Sequence, residues 1–378
     1  MMRQVFAGAR IFDGVALHDG MALVVEDGRV ADLVPGAGAE GHLVALNGGI
    51  LAPGFLDLQV NGGGGHMLDR DADRHTLAAI CAAHAGLGSL GVLPTLITET
   101  AEGTARVLAE GIAAARAGVP GFLGLHLEGP HLDPRRKGAH DPGHIRPMTD
   151  ADLARLCDAA RQLPVLMTTL APEAATPAQI AALVQAGVVV SLGHSDCSHA
   201  QAVAALAAGA TCVTHVFNAM SQIGNREPGL AGAALDSPVW AGLIADGIHV
   251  HAAVLRIALA AKPEGLFLVS DCMSVAGTDQ TECVLGGRRI LRRDGRLTLE
   301  DGTLAGADLT LPHAVRVLVR QAGASVERAL AMACAAPAAV IGLGDTLGHL
   351  RPGRRADMVH LAPDFALAAV WRAGERVA

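Results

Sequence analysis

From residue 51 onwards, short apolar runs alternate with longer segments whose apolar residues recur at helical spacing. The runs have the length of buried strands, and the longer segments have the length of amphipathic helices. The predicted strands cover residues 54–60, 92–97, 121–127, 164–170, 188–193, 211–216, 240–245 and 266–271. The predicted helices include residues 101–118, 149–162, 176–187, 198–209 and 251–262. Because repeated strand–helix alternation implies parallel pairing, this pattern predicts an α/β fold with a (β/α)8 TIM-like barrel.

The two ends of the chain follow a different pattern, in which short β-like runs alternate with turns. These runs lie at residues 4–6, 22–25, 30–33, 357–361 and 368–371. We therefore predict a small β-sandwich domain formed by residues 1–50 plus 345–378, and a barrel domain formed by residues 51–344. After the eighth strand, the Gly- and Arg-rich residues 278–303 predict a β-hairpin excursion. Two further helices are predicted near residues 312–322 and 325–341.

Composition and charge narrow the class of partner. The 378 residues carry a formal charge of −8, with no basic run and only seven Phe and two Trp, which argues against nucleic-acid binding. The mean hydropathy of +0.37 is high, but polar residues interrupt every long uncharged stretch, so we expect no membrane span. The seven cysteines are dispersed without a CxxC pair, and the N-terminus lacks the apolar segment of a signal peptide. These features predict a cytoplasmic protein with reduced thiols.

Polar residues recur where the predicted barrel strands end, which is where catalytic side chains of such barrels lie. They are Asp57, Gln59, His126, Glu128, His194, His215, Asp246, His249 and Asp271. Two His and one carboxylate at one barrel mouth match a catalytic zinc site, and an Asp on the last strand is suited to proton transfer. These residues also have structural alternatives. A histidine can be an ordinary hydrogen-bonded residue, Glu128 can cap a loop, and Asp271 can cap the N-terminus of a helix. The glycines after Asn61 are only a weak phosphate-loop signal, since they lack GxGxxG.

Eight segments carry a more specific pattern. They are PGFLDLQVNGGGG (53–65), GLHLEGPHLDPRRKGAHDP (124–142), SLGHSD (191–196), VTHVFNAMS (213–221), NREPGLAGAAL (225–235), LIADGIHV (243–250), LVSDCMSVAG (268–277) and LGHLRPGRRADMVHL (347–361). In this order, and over essentially the whole chain, they resemble the amidohydrolase superfamily and, within it, the N-acetylglucosamine-6-phosphate deacetylase family. The succession of THxxNAM, REPGLAGA and ADGxH is the most specific part of the likeness.

The resemblance implies a metal site. Carried over by position, the ligands are Glu128, His194 and His215. Asp57 and Gln59 stand where many amidohydrolases have an HxH pair, which implies one divalent metal per subunit with Gln59 beside it. Zinc suits two imidazoles and a carboxylate, while iron, cobalt and manganese remain alternatives. The chain's two lysines, Lys137 and Lys262, lie away from predicted strand ends, which argues against a carbamylated-lysine bridge.

The resemblance also implies the reaction and its substrate contacts. The expected reaction hydrolyses the acetamide of N-acetyl-D-glucosamine 6-phosphate, with Asp271 moving the proton from the attacking water to the leaving amine. The implied substrate-binding residues are Ala139, His140, Asn218, Ala219, Arg226, His249, Leu304, Ala305 and Gly306. Ala307 departs from the family's usual Ser. Arg226 implies a homodimer, because the family's arginine reaches the neighbouring site; a surface pair with Glu227 is its alternative.

Three functions remain open at this point. The first is the deacetylase just described, and the second is an amidohydrolase for another N-acyl substrate, such as N-acetylgalactosamine 6-phosphate or an N-acyl amino acid. The third is a sugar-phosphate sensor that has lost catalysis. Such a sensor would be expected to lose a ligand or Asp271, and neither is lost here. The residues do not assign the configuration of the sugar at C4.

Overall fold

Eight parallel strands form the centre of the protein, in a computed structural model that describes residues 3–378. Numbered 1 to 8 along the chain, the barrel strands are Phe55–Val60, Ser89–Leu96, Leu125–Glu128, Leu166–Leu170, Val189–Leu192, Cys212–Val213, Trp240–Leu243 and Leu266–Leu268. Strands that follow one another in sequence are neighbours in the sheet, and every pair is parallel. The predicted (β/α)8 barrel is confirmed.

Barrel strand 1 and the segment after strand 8 are joined by a seam of side-chain and backbone hydrogen bonds. The Asp57 carboxylate accepts the backbone N–H of Ser270 at 3.1 and 3.3 Å. Just beyond, the backbone N–H of Asp271 donates to the Gln59 carbonyl at 3.0 Å, and Asn61 N–H donates to the Cys272 carbonyl at 2.9 Å. Burial raises the pKa of Asp57 to about 7. The seam therefore fixes the chain on both sides of the barrel mouth.

Ten α-helices were found in the described part of the chain, most of them packed around the barrel. Their bounds are Arg74–Gly86, Ala101–Arg116, Asp150–Ala160, Pro177–Gln185, His199–Ala207, Gly229–Asp236, Ala252–Ala261, Leu311–Arg320, Val326–Ala333 and Ala335–Val340. Hydroxyl side chains cap several starts: Thr149, Thr176 and Ser198 each form a capping box with the residue three positions on. Within residues 3–378, none of these helices has the length and apolar character needed to cross a bilayer.

Three helical features differ from the expectation. Arg74–Gly86, capped by Asp73, was not predicted, and neither was Gly229–Asp236. The second contains two glycines and no side-chain cap, but its first six residues are buried, so packing overrides its low propensity. The single helix predicted over residues 325–341 is two helices that meet at Cys334. Pro337 lies in the first turn of the second helix, where a missing N–H is tolerated.

The terminal segments build two sheets that face each other. One has four strands, Arg3–Ala7, Met21–Glu26, Arg29–Pro35 and His42–Ala45. The other has six, Arg10–Phe12, Leu17–His18, Ile50–Pro53, Met358–Leu361, Leu367–Arg372 and Glu375–Arg376. Side chains from both sheets share one apolar cluster, in which the Phe6 and Trp371 rings meet edge to face at 5.3 Å. The division at residue 50 stays a prediction; strand Ile50–Pro53 lies in the six-stranded sheet.

A four-stranded antiparallel sheet lies where the hairpin excursion was predicted, and it extends to Ala307. Its strands are Glu282–Leu285, Arg288–Arg293, Arg296–Leu299 and Leu304–Ala307. A small apolar cluster that includes Val275, Ile290 and Leu297 holds it against the segment after barrel strand 8. The Ala307 backbone N–H donates to the Asp271 carbonyl at 2.8 Å, so the last strand borders the barrel mouth. Three shorter elements complete the description: Gly62–Gly63, His66–Met67 and the 3-10 turn Pro134–Arg136.

Candidate metal centre and active site

Three buried donor groups converge at the barrel mouth, each from the end of a different strand. Glu128 ends barrel strand 3, while His194 and His215 follow strands 5 and 6. Glu128 Oε1 lies 2.9 Å from His215 Nε2 and 3.3 Å from His194 Nε2. One ligand atom from each of the three residues fits within a 4.8 Å cluster. These are the three ligands predicted from the sequence; their role stays a prediction.

The orientation of the two imidazoles suits a metal. His194 Nδ1 donates to the Arg136 carbonyl at 2.8 Å, which leaves Nε2 unprotonated and facing the cluster. His215 Nε2 lies only 3.1 Å from His194 Nε2, and its Nδ1 is buried without a hydrogen-bond partner in the described residues. Burial would raise the pKa of Glu128, but the two imidazoles hold it well below its usual range. An ionised carboxylate with two imidazole nitrogens is a donor set that fits zinc.

Asp271 faces this cluster from the end of barrel strand 8. Its Oδ1 accepts from Asn61 Nδ2 at 2.8 Å and from Gln59 Nε2 at 3.2 Å. Gln59 Nε2 also donates to Glu128 Oε1 at 2.9 Å, so this amide joins the two carboxylates. Burial, and then the nearby Glu128 carboxylate, raise the pKa of Asp271 to about 6. A carboxyl group with such a pKa can both accept and release a proton near neutral pH.

Three of these residues have a backbone conformation that side chains disfavour. The φ angles of His194, His215 and Asp271 are 46°, 26° and 50°. Left-handed conformations of non-glycine residues cost about 1–3 kcal/mol each and cluster at functional sites. Here the chain turns sharply as it leaves strands 5, 6 and 8, which aims the three side chains across the barrel mouth.

The site opens into a cavity of about 390 Å³. Among the predicted substrate-binding residues, those that line it are Ala139, His140, Asn218, Ala219, His249, Leu304 and Gly306. Ala305 lies outside the lining because strand alternation turns its side chain into the small apolar cluster. Arg226 is exposed and does not line the cavity. Gln59 is buried and does not line it either. The substrate-binding role of each residue stays a prediction.

Two histidines of the lining have defined hydrogen-bond partners. His140 Nδ1 accepts the backbone N–H of Thr98 at 3.3 Å, which leaves the proton on Nε2, 3.7 Å from Glu128 Oε2. Burial, and then His194, lower the pKa of His140 to about 3, so its ring is neutral. His249 Nδ1 contacts Asp246 Oδ2 at 2.6 Å. His140 therefore presents an N–H donor, and Asp246 orients His249 with Nε2 free.

No role was predicted from the sequence for several residues of the site. Asn61, Arg135 and Arg136 line the cavity, and Asp246 supports His249. The spacing of Asp246 three residues before His249 was a usable signal, and so was the position of Asn61 directly after strand 1. The two arginines already pair with Asp133, Glu173 and Asp196 at the cavity rim.

A layer of hydroxyl groups lies inside the barrel beneath the site. Thr214 Oγ1 is 2.6 Å from both Thr169 Oγ1 and Ser191 Oγ. Thr169 Oγ1 also contacts His126 Nε2 at 2.7 Å, and His126 Nδ1 donates to the Leu58 carbonyl at 3.0 Å. Along the chain, Leu58 directly precedes Gln59, and His126, Ser191 and Thr214 lie within three residues of Glu128, His194 and His215, respectively. Thr169 lies on strand 4, between the strands that lead to Glu128 and His194. The layer therefore connects the strands that carry the site.

Comparisons with known proteins agree with this geometry. A family model described as the amidohydrolase family matches residues 50–377. The N-acetylgalactosamine-6-phosphate deacetylase of Shewanella sp. (strain ANA-3) is 38% identical over 375 residues, which cover 97% of this chain and 94% of that protein.

Solved structures of deacetylases superpose on the whole chain. The N-acetylglucosamine-6-phosphate deacetylase from Pasteurella multocida superposes with a TM-score of 0.95 at 33% identity, over 99% of both chains. A variant of the Mycobacterium smegmatis enzyme in complex with N-acetyl-D-glucosamine 6-phosphate gives a TM-score of 0.91 at 34% identity, over 100% of this chain and 99% of that one.

Proposed function

The chain belongs to the amidohydrolase family, and from that premise we propose that it hydrolyses the acetamide of N-acetylglucosamine 6-phosphate to glucosamine 6-phosphate and acetate. The observation that carries the proposal is the position of Asp271 opposite the Glu128–His194–His215 cluster in one cavity. A proton carrier and a metal-binding cluster on either side of a reacting carbon are what amide hydrolysis requires.

The cofactor of this proposal is one divalent metal per subunit, zinc in the first place, with iron, cobalt or manganese as alternatives. Glu128, His194 and His215 would hold it. When bound, it supplies Lewis acidity to the substrate carbonyl and makes a water molecule more acidic. Gln59 donates its amide N–H groups to Glu128 and Asp271. These contacts favour a role in which Gln59 positions the two carboxylates beside a single metal.

In the reaction, Asp271 accepts the proton of the attacking water and passes it to the amine nitrogen. A carbon–oxygen bond forms, the carbon–nitrogen bond breaks, and the electron pair stays on nitrogen, which needs that proton to leave. Because Gln59 and Asn61 both donate to Oδ1, Oδ2 of Asp271 is left for proton transfer. His140, neutral and with its proton on Nε2, donates a hydrogen bond to the substrate carbonyl oxygen.

The phosphate of the substrate is assigned to the side of the cavity formed by His249, Asn218 and Ala219. Asp246 Oδ2 contacts His249 Nδ1 at 2.6 Å and holds the ring in place, so that a phosphate contact would be made through Nε2. The Asn218 backbone N–H already donates to the His215 carbonyl, and the side-chain Nδ2 donates to the same oxygen at 3.3 Å, so both donors of Asn218 have partners within the chain. Arg226 comes from a partner subunit in this proposal, because within one chain it lies outside the cavity. A cytoplasmic location is part of it, supported by seven free thiols.

A second candidate substrate is N-acetylgalactosamine 6-phosphate, favoured by the Shewanella relative, whose name gives that sugar. The two sugars differ only in the configuration at C4.

Acetate release from four compounds tests the proposal: both 6-phosphates and their unphosphorylated parents. We expect release from N-acetylglucosamine 6-phosphate with a kcat/KM at least about tenfold above that of each unphosphorylated sugar, since a charge-assisted phosphate contact is worth that much. A higher kcat/KM for the galacto compound would support the second candidate. No release from any of them would contradict an enzymatic function and favour the sensor.

A further inference from the structure

Asn61 occupies a position between the seam of the barrel and the reacting groups. It directly follows barrel strand 1, is 3% exposed and lines the same cavity as Glu128, His215 and Asp271. Its backbone is held on both sides: the N–H donates to the Cys272 carbonyl at 2.9 Å, and its carbonyl accepts from Leu68 N–H at 2.8 Å. The side chain therefore projects from a fixed point of the site.

The orientation of the Asn61 amide follows from its partner. The group 2.8 Å from Asp271 Oδ1 must be the NH2, because an ionised carboxylate only accepts hydrogen bonds. The amide oxygen, Oδ1, is then the atom left over, and it is buried without a hydrogen-bond partner in the part of the chain that the structure describes. A buried amide oxygen in a cavity lining costs free energy unless a ligand supplies a donor.

We propose that Asn61 is a further catalytic residue, whose Oδ1 accepts the N–H of the substrate's amide nitrogen. This inference rests on the proposed deacetylation, in which that nitrogen must come close to Asp271 to receive its proton. Asn61 is hydrogen-bonded to Asp271 through Nδ2. A substrate nitrogen that reaches the Asp271 carboxyl group therefore comes close to the Asn61 amide, whose oxygen can accept its N–H. No other titratable group is needed for this contact.

The contact directs the proton transfer. When water adds to the acetyl carbon, the nitrogen becomes pyramidal and its lone pair becomes available for protonation. With its N–H held by Asn61 Oδ1, the lone pair faces the carboxyl group of Asp271. The proton that Asp271 took from water then moves to nitrogen, the carbon–nitrogen bond breaks with its electron pair on nitrogen, and the original N–H stays on the product amine.

An ester in place of the amide isolates this contact, because an ester oxygen carries no hydrogen. Acetate release is measured from N-acetylglucosamine 6-phosphate and from the 2-O-acetyl ester of glucose 6-phosphate. For Asn61→Ala, we expect both rates to fall, since Asp271 loses a donor, but the ratio of the kcat/KM values for amide and ester to fall by a further factor of about ten. An unchanged ratio would overturn the inference and leave Asn61 a positioning residue for Asp271.

Two further variants separate the contact from the shape of the side chain. Asn61→Leu fills a similar volume without a polar atom and should lower the ratio as Asn61→Ala does. Asn61→Asp keeps an acceptor oxygen, so its rates should fall while its ratio stays near the wild-type value; a ratio as low as that of Asn61→Leu would count against the inference. If Asn61→Ala does not fold, these two near-isosteric variants still provide the comparison.

Asn47→Ala, at an exposed amide in the small sandwich, is the matched control and should change neither rate. Metal content and the thermal unfolding midpoint of each variant show whether the fold is intact. Failure of the wild-type protein to release acetate from the amide would contradict the proposed function, whereas an amide-to-ester ratio that does not respond to Asn61 would contradict only this inference.

Discussion

At the scale of single residues, Asp271 is defined by its surroundings. Burial and the Glu128 carboxylate raise its pKa to about 6, while Gln59 and Asn61 hold one of its oxygens. A helix-capping role, the structural alternative considered for it, is not what its contacts show: they run to Gln59 and Asn61 on barrel strand 1 and the residues after it. These contacts place the carboxyl group where the proposed proton transfer needs it.

Replacing Asp271 by Asn removes this proton carrier and keeps the shape of the side chain. We expect Asp271→Asn to lower kcat by about 10²–10⁴-fold, the range typical of general acid–base catalysis. Metal content and the binding of the intact substrate, measured by elemental analysis and calorimetry, should remain close to wild type. A kcat within a few-fold of wild type would remove Asp271 from this role.

At this scale, only part of the site could be predicted from the sequence. Residues whose proposed role follows from a strand end, such as Glu128, His194 and Asp271, could be singled out from position and residue type. The contacts of Asn61 and Asp246 could not be predicted, because they depend on which atom of a neighbour each residue reaches. Ala305 shows the converse: a motif places it at the site, and strand alternation turns its side chain away.

At the scale of elements, the barrel strands bring the site together and the hydroxyl layer connects them. Interiors of such barrels are usually filled by branched apolar side chains. Here Thr169 and Ser191 each form a hydrogen bond with Thr214 beneath the cluster. Because Thr214 precedes His215, and Ser191 lies three residues before His194, this layer holds the two imidazoles through their backbone.

Thr214→Val keeps the shape of the side chain and removes the hydroxyl at the centre of the layer. Because outer contacts of a metal site typically change metal affinity 10–100-fold, we expect a loss of about that size in a chelator competition. The free energy of unfolding should fall by about 1–3 kcal/mol, since Thr169 and Ser191 each lose a partner. Thr211→Val, at the exposed residue just before strand 6, is the control. Unchanged metal affinity in Thr214→Val would show that the layer only stabilises the fold.

Local pattern predicts elements better than it predicts their pairing. All eight barrel strands were placed from apolar runs, since each run is short and ends in polar residues. The helix Gly229–Asp236 was missed because its burial, not its propensity, stabilises it. The pairing of Ile50–Pro53 with Met358–Leu361 joins segments about three hundred residues apart in the chain, and such contacts leave no trace in local periodicity.

At the scale of the whole molecule, an acidic protein is proposed to bind a phosphorylated sugar. With a formal charge of −8, it needs local cations for this purpose. The arginines in the cavity lining, Arg135 and Arg136, are paired with rim carboxylates. Arg226, in contrast, is exposed on the loop after strand 6. A second copy of the chain that delivers Arg226 to the neighbouring cavity would supply the missing charge.

Arg226→Ala should therefore lower kcat/KM for the phosphorylated substrate by about ten- to a hundredfold and leave the unphosphorylated sugar nearly unchanged. Arg116→Ala, at a remote helix end, is the control. Mixing Arg226→Ala with Asp271→Asn tests the partner directly. In a mixed dimer, the chain with an intact Asp271 receives Arg226 from its partner, so activity should return. No recovery in a verified mixed dimer would indicate that Arg226 acts within its own chain or at the surface.

The central claim is that one metal, held by Glu128, His194 and His215, supports hydrolysis of the acetylated sugar phosphate. Its most direct test is acetate release from N-acetylglucosamine 6-phosphate as zinc is added back to chelator-treated protein. The account predicts no release without metal, and a rise that ends at one equivalent per chain for the wild type. Glu128→Ala and His194→Ala should show no such rise. Release that survives complete removal of metal, or that needs two equivalents, would contradict the account.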